Sequence, residues 1–201
     1  MTQIDYFFSP VSPFTYLAGD RLEQLATEVG ARIRYIPFDI GAVFSATGGV
    51  PVGQRSPQRQ AYRLQELKRI QVKTGLPFQL HPAHFPVDGT AACLTLVQAR
   101  DQGYPVDPLA RACLEAVWAR DLNLADVMVL GQLLDSVQLP RSLLDTRDGA
   151  CATFAAETDE AIQRGVFGSP FYVVGDACFW GQDRLDDLKT HLQQLSKQSG
   201  P

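Results

Sequence analysis

The sequence predicts an α/β protein in which a large all-helical insertion interrupts a small domain of strands and helices. Three observations support this fold class. Both ends of the chain alternate strand and helix patterns, whereas the middle carries helix signals and almost no strand signal. The 201 residues are 45% hydrophobic, so the chain is long enough to bury a full core.

The N-terminal end reads as strand, helix, strand. Residues 4–8 (IDYFF) are aromatic and apolar, and residues 32–38 (RIRYIPF) alternate with β-branched and aromatic side chains. Between them, residues 13–30 place apolar side chains at helical spacing, and Gly30 suits a C-terminal cap. Strands joined through a crossover helix usually run parallel, with a right-handed crossover. We therefore expect a β-α-β unit here.

The C-terminal end carries a different pattern. Residues 152–165 form an amphipathic helix pattern, residues 169–181 read as two short strands around a Gly-Asp turn, and residues 183–195 read as a closing helix. Together the two ends give the element order β-α-β and then α-β-β-α, which is the order of a thioredoxin-type fold with an insertion in its middle. We assign residues 1–40 and 148–201 to this thioredoxin-like domain, and we expect the polar tail at 196–201 to be mobile.

The remaining segment, residues 41–147, is assigned to the inserted helical domain. Plausible helix caps are Asp88, Asp107 and Asn123. Residues 45–57 are rich in Gly, Pro and Ser, and they predict a long loop, either functional or loose. The four candidate helices lie at residues 57–75, 88–103, 107–121 and 123–137.

Composition excludes several classes of partner. A formal net charge of −4 gives no electrostatic footprint for nucleic acid or for an anionic membrane. No apolar stretch approaches the roughly 18 residues of a membrane span, and the first residues lack a signal-peptide pattern, so we expect a cytoplasmic protein. The four cysteines stand far apart without a C-x-x-C spacing, which predicts free thiols, no disulfide and no metal site.

The first candidate site is the turn between the first strand and the first helix. Ser12 followed by Pro13 fits the N-cap and N1 positions of a helix. The same geometry binds anions, because the first-turn amides are partly positive and a hydroxyl beside them can donate a hydrogen bond. The residues alone favour an ordinary serine cap and leave an anion site as the alternative.

Two further candidate sites lie near the C-terminus. Pro170, at the start of a strand and after Gly168 and Ser169, is a candidate for a cis X-Pro bond, although an ordinary trans proline is the simpler reading. Gln182 and Asp183 precede the last helix and could bind the amine and the carboxylate of a charged ligand. The simpler reading there is that Asp183 caps the helix and Trp180 packs.

A family resemblance connects these three places. The motif S-P-F-x-Y-L at residues 12–17, followed by V-F-G-x-P at 166–170 and F-W-G-x-D-R-L at 179–185, resembles the 2-hydroxychromene-2-carboxylate isomerases. These enzymes are relatives of the kappa-class glutathione transferases and of the DsbA-type oxidoreductases. The resemblance spans nearly the whole chain. It implies a thioredoxin fold with an inserted helical domain, and glutathione as the cofactor.

The resemblance also implies roles for individual residues on the glutathione side. Ser12 stands where thiol oxidoreductases keep a nucleophilic cysteine, so the sulfur would come from glutathione, and Ser12 and the first-turn amides would favour its thiolate. Ser169 and Pro170 match the pair that meets the glutathione backbone. The segment that holds its γ-glutamyl end is matched by Trp180, Gly181, Gln182 and Asp183.

The implied reaction is cis-trans isomerisation of an unsaturated aromatic keto acid through transient addition and elimination of the thiolate. Arg55, with Gln54 beside it, is the candidate group for the developing enolate and the substrate carboxylate; a solvated loop charge is the alternative. Phe44 and Phe85 stand where the best-known isomerases have a lysine and a tyrosine. Two polar contacts to substrate are therefore missing, which leaves the aromatic substrate open.

The helix predicted at 57–75 is strongly basic. The simplest reading is a solvated face, and the alternative is that Arg59 or Arg63 turns toward an acidic substrate.

Three functions remain open at this point. The first is a glutathione-dependent isomerase of aromatic catabolism, the second a kappa-like glutathione transferase or peroxidase, and the third a non-catalytic glutathione-binding module. The partner that we expect is a small-molecule aromatic substrate. The relatives also suggest a homodimer.

Overall fold

A computed structural model describes residues 1–198, which include a mixed sheet of four strands. The strands are β1 (Gln3–Phe8), β2 (Arg32–Pro37), β3 (Phe171–Val174) and β4 (Ala177–Trp180). Their order in the sheet is β2-β1-β3-β4; β1 and β2 run parallel, whereas β3 is antiparallel to both β1 and β4. The predicted strands and the parallel first pair are confirmed.

The central strand β1 is buried on both faces of the sheet. Ile4, Tyr6 and Phe8 point into one hydrophobic cluster, while Phe7 points into a second cluster on the opposite face, as the two-residue period of a strand requires. The first cluster continues from the sheet into the helices of the insertion, where Trp118 is fully buried. Sheet and insertion therefore share one continuous core, which fixes their relative position.

The crossover from β1 to β2 contains two helices, α1 (Pro13–Ala18) and α2 (Arg21–Val29). The prediction of one helix to Gly30 is wrong in this detail, because Gly19 has a φ of 64° and its amide closes a tight turn onto Tyr16. A φ in that range ends an α-helix and suits glycine. Periodicity did not reveal the break, since Leu17 and Leu22 are buried on either side of it.

Six helices separate β2 from the C-terminal elements, and two more flank the second pair of strands. Helices were predicted correctly at four of the six positions, whereas α3 and α8 were missed. The six are α3 (Ile40–Thr47), α4 (Pro57–Thr74), α5 (Thr90–Asp101), α6 (Asp107–Trp118), α7 (Val127–Ser136) and α8 (Ser142–Asp145); α9 (Cys151–Gln163) precedes β3 and α10 (Leu185–Gln198) follows β4.

The predicted loop at 45–57 and the predicted tail are both more ordered than expected. Asp39 caps α3 through the Gly41 and Ala42 amides, so the first residues of that loop are helical, and a 3-10 turn occupies Val52–Gln54. Helix α10 continues to Gln198, so residues 196–198 are helical rather than mobile. Residues 199–201 of the tail lie outside the described residues.

The three predicted caps are displaced. Asp88 lies one residue before the cap position, although its carboxylate accepts from the Thr90 amide at 2.9 Å. Asp107 is already inside α6, and Asn123 accepts from the Ala125 amide before the helix begins. Asp126 is the residue that caps α7. For Asp88 and Asn123, the error concerns a polar side chain that bonds the backbone a few residues from the true helix start.

An ion-pair network joins α9 to β1, β2 and α5. Arg34 bonds Glu160 at 2.8 Å and Glu157 at 3.2 Å, and Arg100 bonds Glu157 at 2.8 Å. Arg164 pairs with Asp5 on the central strand. Every one of these partly buried guanidinium groups therefore has a carboxylate, the usual requirement for a charge removed from water.

The four cysteines are free. Cys93 and Cys113 are buried, and burial raises the pKa of both thiols, that of Cys113 to about 12. Along residues 1–198 no helix is both long and apolar enough to cross a membrane, and no group of three or more His, Cys, Asp or Glu side chains is arranged to hold a metal ion.

Candidate active site

Ser12 is the N-cap of α1, as its sequence position predicts. Its hydroxyl oxygen accepts a hydrogen bond from the Thr15 amide at 3.2 Å, and Pro13 occupies the first helical position. The Tyr16 amide is bonded to the Ser12 carbonyl, and Pro13 has no amide hydrogen. Among the residues that the structure describes, the Phe14 amide therefore has no acceptor. The turn offers a ligand one hydroxyl and one open amide.

The Ser12 hydroxyl also reaches across to the second candidate segment, 157 residues further along the chain. It donates to the carbonyl of Ser169 at 3.1 Å. The Ser169 hydroxyl accepts from the Ser9 amide at 2.8 Å and shares a hydrogen bond of 2.8 Å with the Thr15 hydroxyl. The Ser169–Pro170 peptide bond is cis, the alternative that the sequence left open. Three hydroxyls thus connect the start of α1 to the start of β3.

The third candidate segment is joined to the same place through Pro170. The Gly181 amide donates to the Pro170 carbonyl at 2.9 Å, and the Gln182 carbonyl accepts from Arg21, at the start of α2, at 3.0 Å. The Asp183 carboxylate pairs with Arg184 rather than with a backbone amide of the helix start. We call the residues Ser12, Ser169, Pro170, Trp180, Gly181, Gln182 and Asp183 the sheet side of the site.

Trp180 forms an exposed wall beside this segment, and 53% of its surface is accessible. Its indole lies over Gly168, where an added Cβ would come within 2.3 Å of the indole nitrogen, and it packs edge-on against Phe167. Glycine at 168 is therefore required by the tryptophan and not by backbone strain. The exposed surface of the Trp180 indole is available to a ligand, although the side chain also packs against Phe167 and Gly168.

The insertion supplies the other predicted residues, Phe44, Gln54, Arg55 and Phe85, which we call the insertion side of the site. The half-buried ring of Phe44 lies against Gly49. Arg55 donates through Nε to the Val50 carbonyl at 2.7 Å, which attaches it to the same loop. Gln54 is exposed at the end of the 3-10 turn. Burial and the neighbouring Arg59 lower the pKa of the Arg55 guanidinium.

Phe85 links the insertion side to the first turn of α1. Its ring packs on Trp118 with centroids 4.8 Å apart, and the Trp118 indole donates to the Val11 carbonyl at 3.2 Å, one residue before Ser12. The guanidinium of Arg63 lies 5.5 Å from the centre of the Phe85 ring. The structure therefore brings Phe85 near the sheet side, whereas Phe44 contacts the 49–55 loop.

Three residues that complete this arrangement were not predicted from the sequence, namely Thr15, Arg21 and Trp118, whereas Arg63 was predicted only as the alternative to a solvated face. Thr15 belongs to the sheet side and Arg63 to the insertion side. Thr15 had a usable signal, because it follows Ser12 by three residues and so shares the cap. Arg63 also had one, since it stands four residues before Leu67 and seven before Ile70 on the buried face of α4. The contacts of Arg21 and Trp118 join distant parts of the chain and leave no local pattern.

Chemically, the arrangement suits an anionic sulfur or oxygen ligand. The Ser12 hydroxyl and the Phe14 amide belong to the first turn of α1, and the Ser12 hydroxyl bonds the carbonyl of Ser169, whose amide also has no acceptor among residues 1–198. Backbone amides and hydroxyls at a helix start stabilise negative charge. Since no cysteine is present at this turn, the protein supplies no nucleophilic sulfur of its own there.

Comparison with known proteins agrees with this geometry. Residues 3–193 match the family model of the DSBA-like thioredoxin domain. Two curated relatives are 2-hydroxychromene-2-carboxylate isomerases: one from Sphingobium xenophagum is 29% identical over 94% of this chain and 97% of the relative. The other, from Pseudomonas sp. (strain C18), is 30% identical over 90% of this chain and 86% of the relative.

A solved structure of a 2-hydroxychromene-2-carboxylate isomerase superimposes with a TM-score of 0.80 at 27% identity, covering 98% of this chain and 97% of that one. A glutathione S-transferase kappa 1 of Caenorhabditis elegans is 25% identical over 96% of this chain and 92% of its own length. Both kinds of relative match the chain from end to end. The thioredoxin-like fold with a helical insertion is thereby confirmed.

Proposed function

The chain belongs to the DSBA-like thioredoxin domain family, within the group of the 2-hydroxychromene-2-carboxylate isomerases, and from this membership we propose that it is a glutathione-dependent cis-trans isomerase. Its substrates would be aromatic unsaturated keto acids of the 2-hydroxychromene-2-carboxylate type. The relatives support the coarser statement directly: the protein is an enzyme of the isomerase or kappa-transferase type.

The observation that carries the proposal is the position of the Ser12 hydroxyl. It lies at the first turn of α1, half-exposed, between the open Phe14 amide and the Ser169 backbone. A hydroxyl and an amide that both donate to a bound sulfur would lower the pKa of its thiol, because they interact with the thiolate and not with the neutral thiol. The free thiol has a pKa of about 8.5, so a modest shift makes the thiolate the main form near neutral pH.

The sheet side fits a peptide-like thiol. The Ser169 amide and carbonyl stand at the start of β3, where an extended ligand backbone could pair with them as an added strand. Gln182 and Asp183 are accessible and would hold the charged γ-glutamyl end, and Trp180 would cover it. Bound glutathione would supply the nucleophilic thiolate that adds to the conjugated carbon of the substrate and leaves after rotation.

The chain's own residues would do three things in this reaction. Ser12 would give up its hydrogen bond to the Ser169 carbonyl and donate to the sulfur instead, while it keeps its cap on Thr15. Phe85 and Phe44 would enclose the aromatic rings and exclude water. Arg55 and Gln54 would meet the negative oxygens of the substrate, including the charge that develops as the double bond is lost.

A kappa-like transferase is the second candidate, and the similarity to the C. elegans kappa protein supports it. The same thiolate site would serve both reactions. The two differ in one observable: an isomerase returns the thiol at each turnover, whereas a transferase converts it into a conjugate.

The deciding experiment follows substrate and thiol together. The purified protein is incubated with catalytic glutathione and excess 2-hydroxychromene-2-carboxylate, the isomer is measured by absorbance, and free thiol is titrated in parallel. We expect many turnovers per glutathione with no loss of thiol. Stoichiometric loss of thiol would indicate a transferase instead of an isomerase. Saturable glutathione binding without turnover would indicate a non-catalytic binding module.

A further inference from the structure

Arg63 is a charged residue on the buried face of α4. Only 9% of its surface is exposed, and it shares that face with Leu67 and Ile70, at the i, i+4 and i+7 positions of an apolar stripe. Removing a guanidinium from water is costly unless the charge is paired and hydrogen-bonded. A position of this kind would ordinarily hold an apolar side chain.

The Arg63 guanidinium has no such partner among the described residues. No hydrogen bond or ion pair joins it to another side chain or to the backbone, and its recorded contact is the face of the Phe85 ring. The more accessible Arg34, Arg100 and Arg164 all bond carboxylates, as described above. Arg63 is therefore the exception among the partly or largely buried arginines of the part of the chain that the structure describes.

The guanidinium is nevertheless open to a ligand. Within residues 1–198, the buried polar side-chain atoms without a hydrogen-bond partner are Glu23 Oε2 and the Tyr172 hydroxyl oxygen. The partnerless nitrogens of Arg63 are not among these atoms, so they keep some contact with solvent. The side chain is thus largely covered, while its charged end keeps some exposure to solvent.

The charge that acts on Arg63 from its surroundings is positive, since Arg55 lowers its pKa and the nearby Glu66 is paired with Arg69. Arg59 and Arg55 lie four and eight residues earlier than Arg63, and neither forms an ion pair with a described residue. The first turn of the 18-residue helix α4 contains no acidic residue, so the positive end of its dipole is also uncompensated. Burial and then Arg55 lower the pKa of Arg63 to about 10, which leaves it charged at neutral pH.

This charge is connected to the proposed reaction site through two aromatic side chains. Arg63 contacts Phe85, Phe85 contacts Trp118, and the Trp118 indole bonds the carbonyl of Val11, next to Ser12. Three successive contacts thus connect the unpaired guanidinium to the turn that carries the candidate hydroxyl.

We propose that Arg63, assisted by Arg55, binds the carboxylate of a ligand held against the Ser12 turn. The identity of that ligand rests on the proposed function: it is the carboxylate of the aromatic substrate or the glycine carboxylate of glutathione. The planar fork of a guanidinium matches a carboxylate with two parallel hydrogen bonds, and stacking on Phe85 fixes its plane. The carboxylate of the ligand would be the negatively charged partner that Arg63 lacks among the described residues.

The test measures binding and stability, without relying on turnover. Titration calorimetry of the full-length protein uses two probes, salicylate as an unreactive aromatic carboxylate and reduced glutathione. Arg63→Met keeps the length and the packing on Phe85 but removes the charge. Lys68→Met removes an exposed charge from the same helix and serves as the matched control. Thermal unfolding of each variant without ligand reports any loss of structure.

We expect Arg63→Met to bind one of the probes about 10- to 100-fold more weakly, the effect of a lost charge-assisted hydrogen-bond pair, and Lys68→Met to bind as the wild type does. Weakened salicylate binding identifies the substrate carboxylate, and weakened glutathione binding identifies the glycine carboxylate. Arg63→Met should unfold at the wild-type temperature or above it, because an unpaired buried charge is lost.

Unchanged affinity of Arg63→Met for both probes would overturn the proposal and leave Arg63 as a structural residue. A wild-type protein that binds neither probe would overturn it as well. If the wild type binds salicylate through Arg63 but does not bind glutathione, the carboxylate site stands and the proposed function fails.

Discussion

The sheet side and the insertion side of the site are built on opposite principles. On the sheet side, the hydroxyls of Ser12, Thr15 and Ser169 bond each other or the backbone, and the segments meet through backbone hydrogen bonds. On the insertion side, the aromatic rings pack, but the guanidinium of Arg63 has no acceptor within the described residues. The hydroxyls of the sheet side are bonded without a ligand, whereas the Arg63 guanidinium of the insertion side is not.

This difference indicates how the two sides would divide the work. A bonded network holds the Ser12 side chain in position, so that only its hydrogen bond to the Ser169 carbonyl has to change when it donates to negative charge. An unpaired buried charge is a cost that a ligand of opposite charge removes, so it favours binding and selection. We expect changes on the sheet side to affect catalysis and stability, and changes on the insertion side to affect substrate binding.

The largest effect is expected from Ser12→Ala. The loss of a donor to negative charge on the sulfur reduces turnover by about 10²-fold or more. Because the hydroxyl favours the thiolate, the deficit should be greatest at low pH and should shrink as the pH rises past the pKa of the free thiol, about 8.5. Initial rates across a pH series measure this.

Ser12→Ala also removes a helix cap, which by itself costs about 1 kcal/mol of stability. Asp126→Ala is the control, since it deletes the cap bond to the Met128 amide at the start of α7. Equal losses of turnover in the two variants would assign the effect to stability and would remove Ser12 from the chemistry.

A second, smaller effect is expected from Gly168→Ala. The new Cβ would come within 2.3 Å of the Trp180 indole nitrogen, so the indole must leave its place over residue 168. Glutathione affinity should fall by about tenfold and the free energy of unfolding by about 1–3 kcal/mol. Calorimetric titration and denaturant unfolding measure the two quantities.

Gly53→Ala is the matched control for this substitution, because its added Cβ meets nothing within 4 Å. Combining Gly168→Ala with Trp180→Ala should restore the lost stability but not the affinity. If the double variant is no more stable than Gly168→Ala, the close approach of the indole is not the cause.

The comparison of the two sides is tested most sharply by a pair of stability measurements. Ser169→Ala leaves the Ser9 amide and the Thr15 hydroxyl without their shared partner, and we expect a loss of about 1–3 kcal/mol in the free energy of unfolding. Arg63→Met should cause no loss. If urea unfolding shows the same destabilisation for both variants, the polar groups of both sides contribute to stability without a ligand. The proposed difference between the sheet side and the insertion side is then wrong.

The smallest effect is expected where the insertion meets the Val11 turn, at the start of α5. Bonds from the Thr90 hydroxyl and amide lower the pKa of the Asp88 carboxyl. A lowered pKa means that the stabilisation is present above the unfolded-state pKa of about 4 and is lost as the pH falls through the folded value. Asp88→Asn should cost about 0.5 kcal/mol at pH 7, because solvent screens the exposed carboxylate.

Thermal unfolding of the wild type and Asp88→Asn at pH 7 and near pH 3 checks this sign. The difference between the two proteins should narrow at the lower pH. A difference that widens on acidification would mean that the carboxylate does not stabilise the helix start.

Local patterns in the sequence predicted the strands, most helices and the cap at Ser12. Apolar periodicity and proline position are sufficient for those features, because they depend on neighbours within a few residues. The helix break at Gly19 was not predicted, because the apolar stripe continues across it. Helix α3 was not predicted, because its eight residues include only one buried side chain, Val43.

The site was predicted in part, and the reason is again the distance along the chain. The family motifs indicated the residues of the sheet side, but the bonds from Ser12, Thr15 and Ser9 to Ser169 span more than 150 residues and have no local pattern. Arg63 was assigned first to a solvated face because charge favours exposure. Its apolar companions at i+4 and i+7 were the signal against that reading. The domain boundaries, the bound cofactor and the homodimer stay predictions.

The most direct test of the central claim is the acidity of glutathione bound at the Ser12 turn. The ultraviolet absorbance of the thiolate is followed during pH titration with saturating wild-type protein and then with Ser12→Ala. The account predicts an apparent thiol pKa well below about 8.5 for the wild type and a value closer to it for the variant. Identical titration curves for the two proteins would contradict it.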